Sequence, residues 1–155
     1  MKIIDGGVTA AKGFKAAGMH AGIKKGTKKD MAMIVSSAPC MAAGTFTTNL
    51  VKAAPVKWDQ HVVYEHGEAR AVVVNSGIAN ACTGAEGYGY CEETAKAAAE
   101  ALGIDKDEVL VASTGVIGKQ LPIDTIKKGV KDLSGLLLDT REAATLAAES
   151  IMTTD

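Results

Sequence analysis

Aromatic residues are scarce in this chain: one Trp, two Phe and three Tyr make up 4% of 155 residues. A core must therefore be assembled from Val, Ile, Leu, Met and many alanines, whose small side chains let elements approach closely. Long apolar runs are missing as well. No window approaches the ~18 consecutive apolar residues that a membrane span requires. The N-terminal MKIIDGGVTAAKGF has neither an apolar h-region nor a cleavage-site pattern. A cytoplasmic protein is expected. Charge of one sign is also lacking, with 17 Lys and Arg against 18 Asp and Glu, so no broad field favours nucleic acid or an anionic membrane. Cys40, Cys82 and Cys91 are odd in number and form no CxxC pair, which argues against a disulfide framework or a zinc site. They read as buried free thiols. His20, His61 and His66 are equally dispersed, and no metal is expected.

What is present fits one α/β domain over residues 1–155. Apolar residues reach 47% and charged residues 23%, the balance of a globular chain, and glycine is enriched at 17 positions. Residues 1–30 suggest short strands joined by glycine turns. The apolar segment 31–37 reads as a buried strand, and the stretch around Phe46 as a strand leading into a loop or short helix that Pro55 would end. His61–Tyr64 is either a strand or a helix end. Ala69–Val74 lacks alternation and reads as a strand buried on both faces. A helix is predicted over 92–102, with Glu92 and Glu93 at its positive end and Gly103 as its stop. Val109–Ala112 reads as a strand and 123–133 as a helix. A last helix spans 140–151, where Asp139 and Glu142 resemble a capping box and Ala144, Ala147, Ala148 and Ile151 share a face.

Three clusters could carry chemistry. Ser113-Thr114-Gly115-Val116-Ile117-Gly118 follows a buried strand, at the carboxyl edge where α/β proteins bind ligands. Gly115 lets a carbonyl approach the main chain, and a backbone N–H beside a hydroxyl can stabilise an oxyanion. The same residues also suit an ordinary turn. Asn75–Gly84 is small and polar, a structural loop or a pocket wall. Ser76 and Ser113 have no histidine partner in the pattern, so neither is a credible nucleophile. Met152-Thr153-Thr154-Asp155 offers two hydroxyls and a carboxylate to an amino-acid ligand, or is simply a frayed end. Lys12 reads as solvated, and no GxxxxGK[ST] phosphate loop occurs.

Several multi-residue motifs stand in one order: VTAAKGFKAAG, SSAPCMAAGTFTTNLVKAAPV, ARAVVVNSGIANACTG, VLVASTGVIGKQLP and ESIMTTD. In this the chain resembles the ornithine acetyltransferases (glutamate N-acetyltransferases) over nearly all of residues 6–155. Ala11 departs from the usual Pro, and Ile78 from the usual Asn. The resemblance implies a layered αββα sandwich and an α chain cut from its precursor before a threonine. That threonine begins the β chain and is the nucleophile, with its own amine as base. A ping-pong acetyl-enzyme would carry acetyl from N-acetylornithine to glutamate in arginine biosynthesis. No cofactor is implied, although some members take acetyl-CoA as a donor substrate. The implied assembly is a dimer of αβ pairs. The family's oxyanion pair falls on Thr114 (hydroxyl) and Gly115 (N–H), and its α-chain substrate contact on Thr153, with Thr154 beside it. A chain bearing only this half of a site would be inactive alone. The alternative is a small-molecule-binding or structural remnant that kept the fold and lost the chemistry.

Overall fold

Small residues on one strand face and larger apolar residues on the other give the sheet two different helix layers. The computed structural model describes residues 6–154. Met1–Asp5, at the start of the glycine-rich stretch, and Asp155, the last residue of MTTD, lie outside the described residues. In chain order the elements are β1 (Phe14–Met19), β2 (Met31–Met41), α1 (Ala54–His61), β3 (Glu68–Ile78), α2 (Gly84–Leu102), β4 (Val109–Val116), α3 (Ile123–Ser134) and α4 (Arg141–Ile151). The strands form one sheet in the order β1-β2-β3-β4. β1, β2 and β3 pair antiparallel, whereas β4 runs parallel to β3 after the α2 crossover.

Alternation along the strands sorts the core. Met31 and Met33 of β2, Val73 of β3, and Val109 and Val111 of β4 face α1, α2 and α3, meeting Trp58, Cys91, Ala95, Ala98, Ile126, Val130 and Leu133. Ala16, Ala32 and Val74 turn the other way, toward Ala147 of α4. The α/β expectation holds, and this chain supplies one four-stranded sheet of the layered architecture.

Several boundaries differ from the sequence reading. β2 continues past 37 through Pro39 to Met41, with a register shift between Val35 and Cys40 that accommodates the proline. The strand expected around Phe46 does not form, and residues 42–53 are irregular. Pro55 opens α1 instead of ending a helix, because its missing N–H costs nothing in a first turn. His61–Tyr64 resolves as a helix end, since α1 runs on into a π turn over Val62–His66 that Gly67 closes at φ 80°. α2 begins eight residues before Glu92, so Glu86, not Glu92 or Glu93, occupies its first turn. At α4 the cap is Thr140, whose hydroxyl accepts from the Ala143 N–H at 3.2 Å. The capping box predicted at Asp139 and Glu142 is instead built by Asp105 and Glu108 ahead of β4. The buried face of α4 is Ala143, Ala144, Ala147 and Ser150, while Ala148 and Ile151 face outward. Of the three thiols only Cys91 is buried; Cys40 is half-buried and Cys82 exposed.

Candidate functional site

Two stretches predicted as loops are strand. β3 runs through Asn75-Ser76-Gly77-Ile78 and β4 through Ser113-Thr114-Gly115-Val116, paired in register so that Ser76 faces Thr114 and Gly77 faces Gly115. Asn75, Ser76 and Ser113 are tolerated there because the side chain of each finds a partner. Ser113 Oγ donates to Asn75 Oδ1 at 2.6 Å, Asn75 Nδ2 donates to the Ile78 carbonyl at 2.9 Å, and Ser76 Oγ donates to the Ser150 carbonyl of α4. Ser113 thus ties β4 to β3, and Ser76 ties β3 to the end of α4. Ile78, the departure from the family's Asn, is buried in the core and keeps its backbone in this network.

Gly115 has φ 133°, and a Cβ on it would overlap the Gly77 backbone. Gly115 therefore leaves no room for a side chain against β3 at the carboxyl ends of the parallel strands. In a parallel ladder the N–H and C=O of one residue point to the same side, and the side alternates along the strand. On the outer side of β4, Trp58 Nε1 donates to the Val109 carbonyl at 2.8 Å and the Val111 N–H donates to Asp59 Oδ1 at 2.9 Å. Residues 113 and 115 continue that outward set, whereas Val116 turns its carbonyl inward to accept from Ala79. So α1 covers the first half of the β4 edge. The Gly115 N–H points off the uncovered half.

Beside it lies a cavity of about 380 Å³ lined by Lys24, Gly77, Gly115, Val116, Thr153 and Thr154. The structure thereby brings Gly115 together with Thr153 and Thr154, which follow it by 38 and 39 residues in sequence. Thr114 is half-buried and does not line this cavity; by alternation it shares the α4 face with Ala112 and Ser76. Lys12 is exposed, as expected. A larger cavity of about 640 Å³ lies at the start of α2, but its rim is Leu50 and Val51, both exposed, and it reaches none of these residues.

Two residues in or behind the wall were missed by sequence reasoning, Lys24 and Asp30, whereas Gly77 belongs to the Asn75–Gly84 cluster read as a loop or a pocket wall. Asp30 is fully buried, and its carboxylate accepts from the N–H groups of Ala21 (2.6 Å), Gly22 (3.2 Å), Ile23 (2.7 Å) and Lys24 (2.9 Å). Its own carbonyl accepts from the Ser76 N–H at 2.9 Å, tying this loop to the end of β3. The signal was an aspartate closing the glycine- and lysine-rich GIKKGTKKD, a pattern equally typical of an exposed turn.

The fold is an α/β domain with a cavity at the carboxyl ends of two parallel strands, the place where α/β proteins commonly bind ligands. The ArgJ family model matches residues 15–155. The chain is 53% identical over 152 residues to the arginine biosynthesis bifunctional protein ArgJ of Gloeobacter violaceus, spanning 98% of this chain and 37% of that protein. It is 43% identical over 155 residues to the chloroplastic protein of that name from Zea mays, covering 99% of this chain and 33% of that one. Two crystal structures superpose with a TM-score of 0.93 each. One is ArgJ of Bacillus halodurans, at 42% identity over all of this chain and 80% of that chain. The other is the ornithine acetyltransferase of Mycobacterium tuberculosis complexed with ornithine, at 46% identity over 97% of this chain and 80% of that chain. The chain belongs to the ArgJ family. It spans little more than a third of the length of the curated relatives it matches.

Proposed function

We propose that this chain is the α-type portion of an acyltransferase that moves acetyl from N-acetylornithine to glutamate, with Thr114 and Gly115 holding the oxyanion. The observation that carries the reading is the cavity that Gly115 shares with Thr153 and Thr154, on the side to which strand alternation turns the Gly115 N–H. The threonine nucleophile belongs to a β chain seated against the open half of β4. Its hydroxyl attacks the acetyl carbonyl, whose oxygen takes up negative charge. The Gly115 N–H is the donor at the cavity wall, and the Thr114 hydroxyl, on the adjoining α4 face of β4 and outside that cavity, is the second donor by family resemblance alone. Collapse of the adduct breaks the C–N bond, the ornithine amine leaves with a proton, and an acetyl-threonine ester remains. The glutamate amine then attacks the ester carbonyl through the same oxyanion. Thr153, with Thr154 beside it, contacts the amino-acid portion. No resident cofactor enters; acetyl-CoA would come as an alternative acetyl donor.

The relatives' names support the assignment, since they describe arginine-biosynthesis bifunctional proteins and an ornithine acetyltransferase. The solved chains are far shorter than the curated relatives, because this chain fills 80% of the former and 37% of the latter. A precursor cut into two chains accounts for that difference, and a dimer of αβ pairs follows from it by family resemblance. Thr114→Ala in the assembled enzyme is expected to lower kcat by about 10²–10³, as for other lost oxyanion donors. Steady-state kinetics with N-acetylornithine decides it: turnover within twofold of wild type removes Thr114 from the role.

A further inference from the structure

The loop between β1 and β2 is closed on a buried carboxylate, and one lysine leaves it at a defined angle. Four consecutive N–H groups converge on Asp30, which fixes the backbone of residues 21–24. The Lys24 stem then crosses Gly77, where a Cβ would stand 3.1 Å from Lys24 Cγ and 3.3 Å from Ile23 Cγ2. A side chain at 77 would therefore require Lys24 and Ile23 to give by a few tenths of an ångström. At the far end Nζ donates to the Lys29 carbonyl at 3.0 Å and to the Met152 carbonyl. Met152 ends α4, turning to extended backbone at φ −60° and ψ 141° immediately before Thr153.

Carbonyls at a helix carboxyl end lack intrahelical donors and carry partial negative charge, so a cation there is favourable. α4 has no basic residue in its own last turn. The charge comes from Lys24, together with Lys29, which pairs with Glu149 at 2.8 Å. Lys24 and Thr153 line the 380 Å³ cavity together, and they also share a neighbouring cavity of about 330 Å³ with Thr27, Lys28, Lys29, Glu149 and Met152. The partition between the two cavities is thus the Lys24 side chain and the chain leaving α4.

We infer that Lys24 is a positioning residue for the amino-acid site, holding the Met152 carbonyl so that Thr153 faces the cavity beside Gly115. The inference rests on the acyl-transfer reading above. The test compares Lys24→Met, which keeps the stem and removes the donors, with Lys24→Arg and Thr153→Val in the assembled enzyme. Lys24→Met is expected to raise KM for N-acetylornithine about tenfold, the effect of one lost charge-assisted contact, while kcat moves less than threefold. Lys24→Arg, which restores charge and donors, recovers most of that loss. A merely structural role would reduce the yield and Tm of folded enzyme and leave KM in place. Should Lys24→Met not assemble, Lys24→Gln, whose amide keeps N–H donors but loses the charge, is expected to raise KM by a smaller factor, and an unchanged KM overturns the positioning role in the same way. A KM within twofold of wild type in the lysine variants, with Thr153→Val raising it, overturns the positioning role alone. If neither the Lys24 nor the Thr153 variants move KM, the amino-acid site itself is misplaced and the functional reading falls with it.

Discussion

Trp58 and Asp59 are consecutive on α1 and both latch onto the outer edge of β4, one as donor and one as acceptor. The indole is nearly fully buried, and its N–H finds the Val109 carbonyl; left unpaired, that group would cost about 1–3 kcal/mol. Asp59 accepts from Val111, yet burial outweighs that bond and pushes its carboxyl from 3.8 up to about 6. The Cys91 thiol beneath is pushed up to about 12, first by burial and then by the Asp59 charge, so it stays a neutral core group at physiological pH. The sign for Asp59 follows directly. Between pH 3.8 and about 6 the folded chain holds a proton that the unfolded chain releases, so stability falls as pH rises through that window. A rise of that size corresponds to about 2–3 kcal/mol. Asp59→Asn keeps an acceptor for the Val111 N–H without the charge. It is expected to gain about 1–2 kcal/mol at pH 8 and little at pH 4. Urea midpoints at the two pH values check this, and an equal gain at both would show that Asp59 titration does not set the difference.

At the scale of elements, α4 rests on β1 through an interface with almost no side chain in it. A Cβ at Gly18 would overlap the Leu146 carbonyl and come within 2.6 Å of Ser150 Oγ. Ala143, Ala144, Ala147 and Ser150 supply the helix side. Gly18→Ala must therefore lift α4 off the sheet, a backbone shift of the overpacking kind that costs about 1–3 kcal/mol. On the acyl-transfer reading, α4 leads into the substrate contact at Thr153, so the same substitution is expected to raise KM for N-acetylornithine as well as lower Tm. A variant with unchanged Tm would mean that the helix yields at no cost. This interface was half legible in the sequence: the alanine periodicity of 144 and 147 gave the helix and its small-residue face, but Gly18 carried no sign of its contact. The same asymmetry appears elsewhere. Core strands 31–37, 69–74 and 109–112 declared themselves through apolar runs, whereas their polar extensions to Ile78 and Val116 did not, because Ser76 and Ser113 are satisfied by Ser150 and Asn75, residues distant in sequence. The first turns of α2 were hidden by Gly84, Gly87 and Gly89, which oppose helix locally. Gly87 is nonetheless needed, since a Cβ would overlap the Thr83 hydroxyl and crowd Asn80. Gly115, Thr153 and Thr154 were named from motif resemblance, but their meeting in one cavity depends on the β3–β4 register.

On the scale of the whole molecule, the sheet is finished at one edge and unfinished at the other. The β1 edge is met by Leu138, which exchanges two backbone hydrogen bonds with Ala16 at 2.9 and 3.1 Å. The β4 edge is blunted by α1 only as far as Val111. Beyond it Val116 is 58% and Ile117 66% exposed, apolar side chains next to outward-pointing backbone, the combination that invites pairing with another chain. The acyl-transfer reading needs its nucleophile delivered to this place, beside Gly115. One substitution probes both requirements. Ile117→Glu leaves the core untouched, because the side chain faces solvent and lies past the end of β4. Burying that carboxylate against a second chain would cost several kcal/mol. The expected result is a folded chain that no longer retains its β partner in native mass spectrometry, together with loss of acetyl transfer. If the two chains stay associated at wild-type strength with glutamate at 117, the partner sits elsewhere and the open half of β4 is not where the nucleophile arrives.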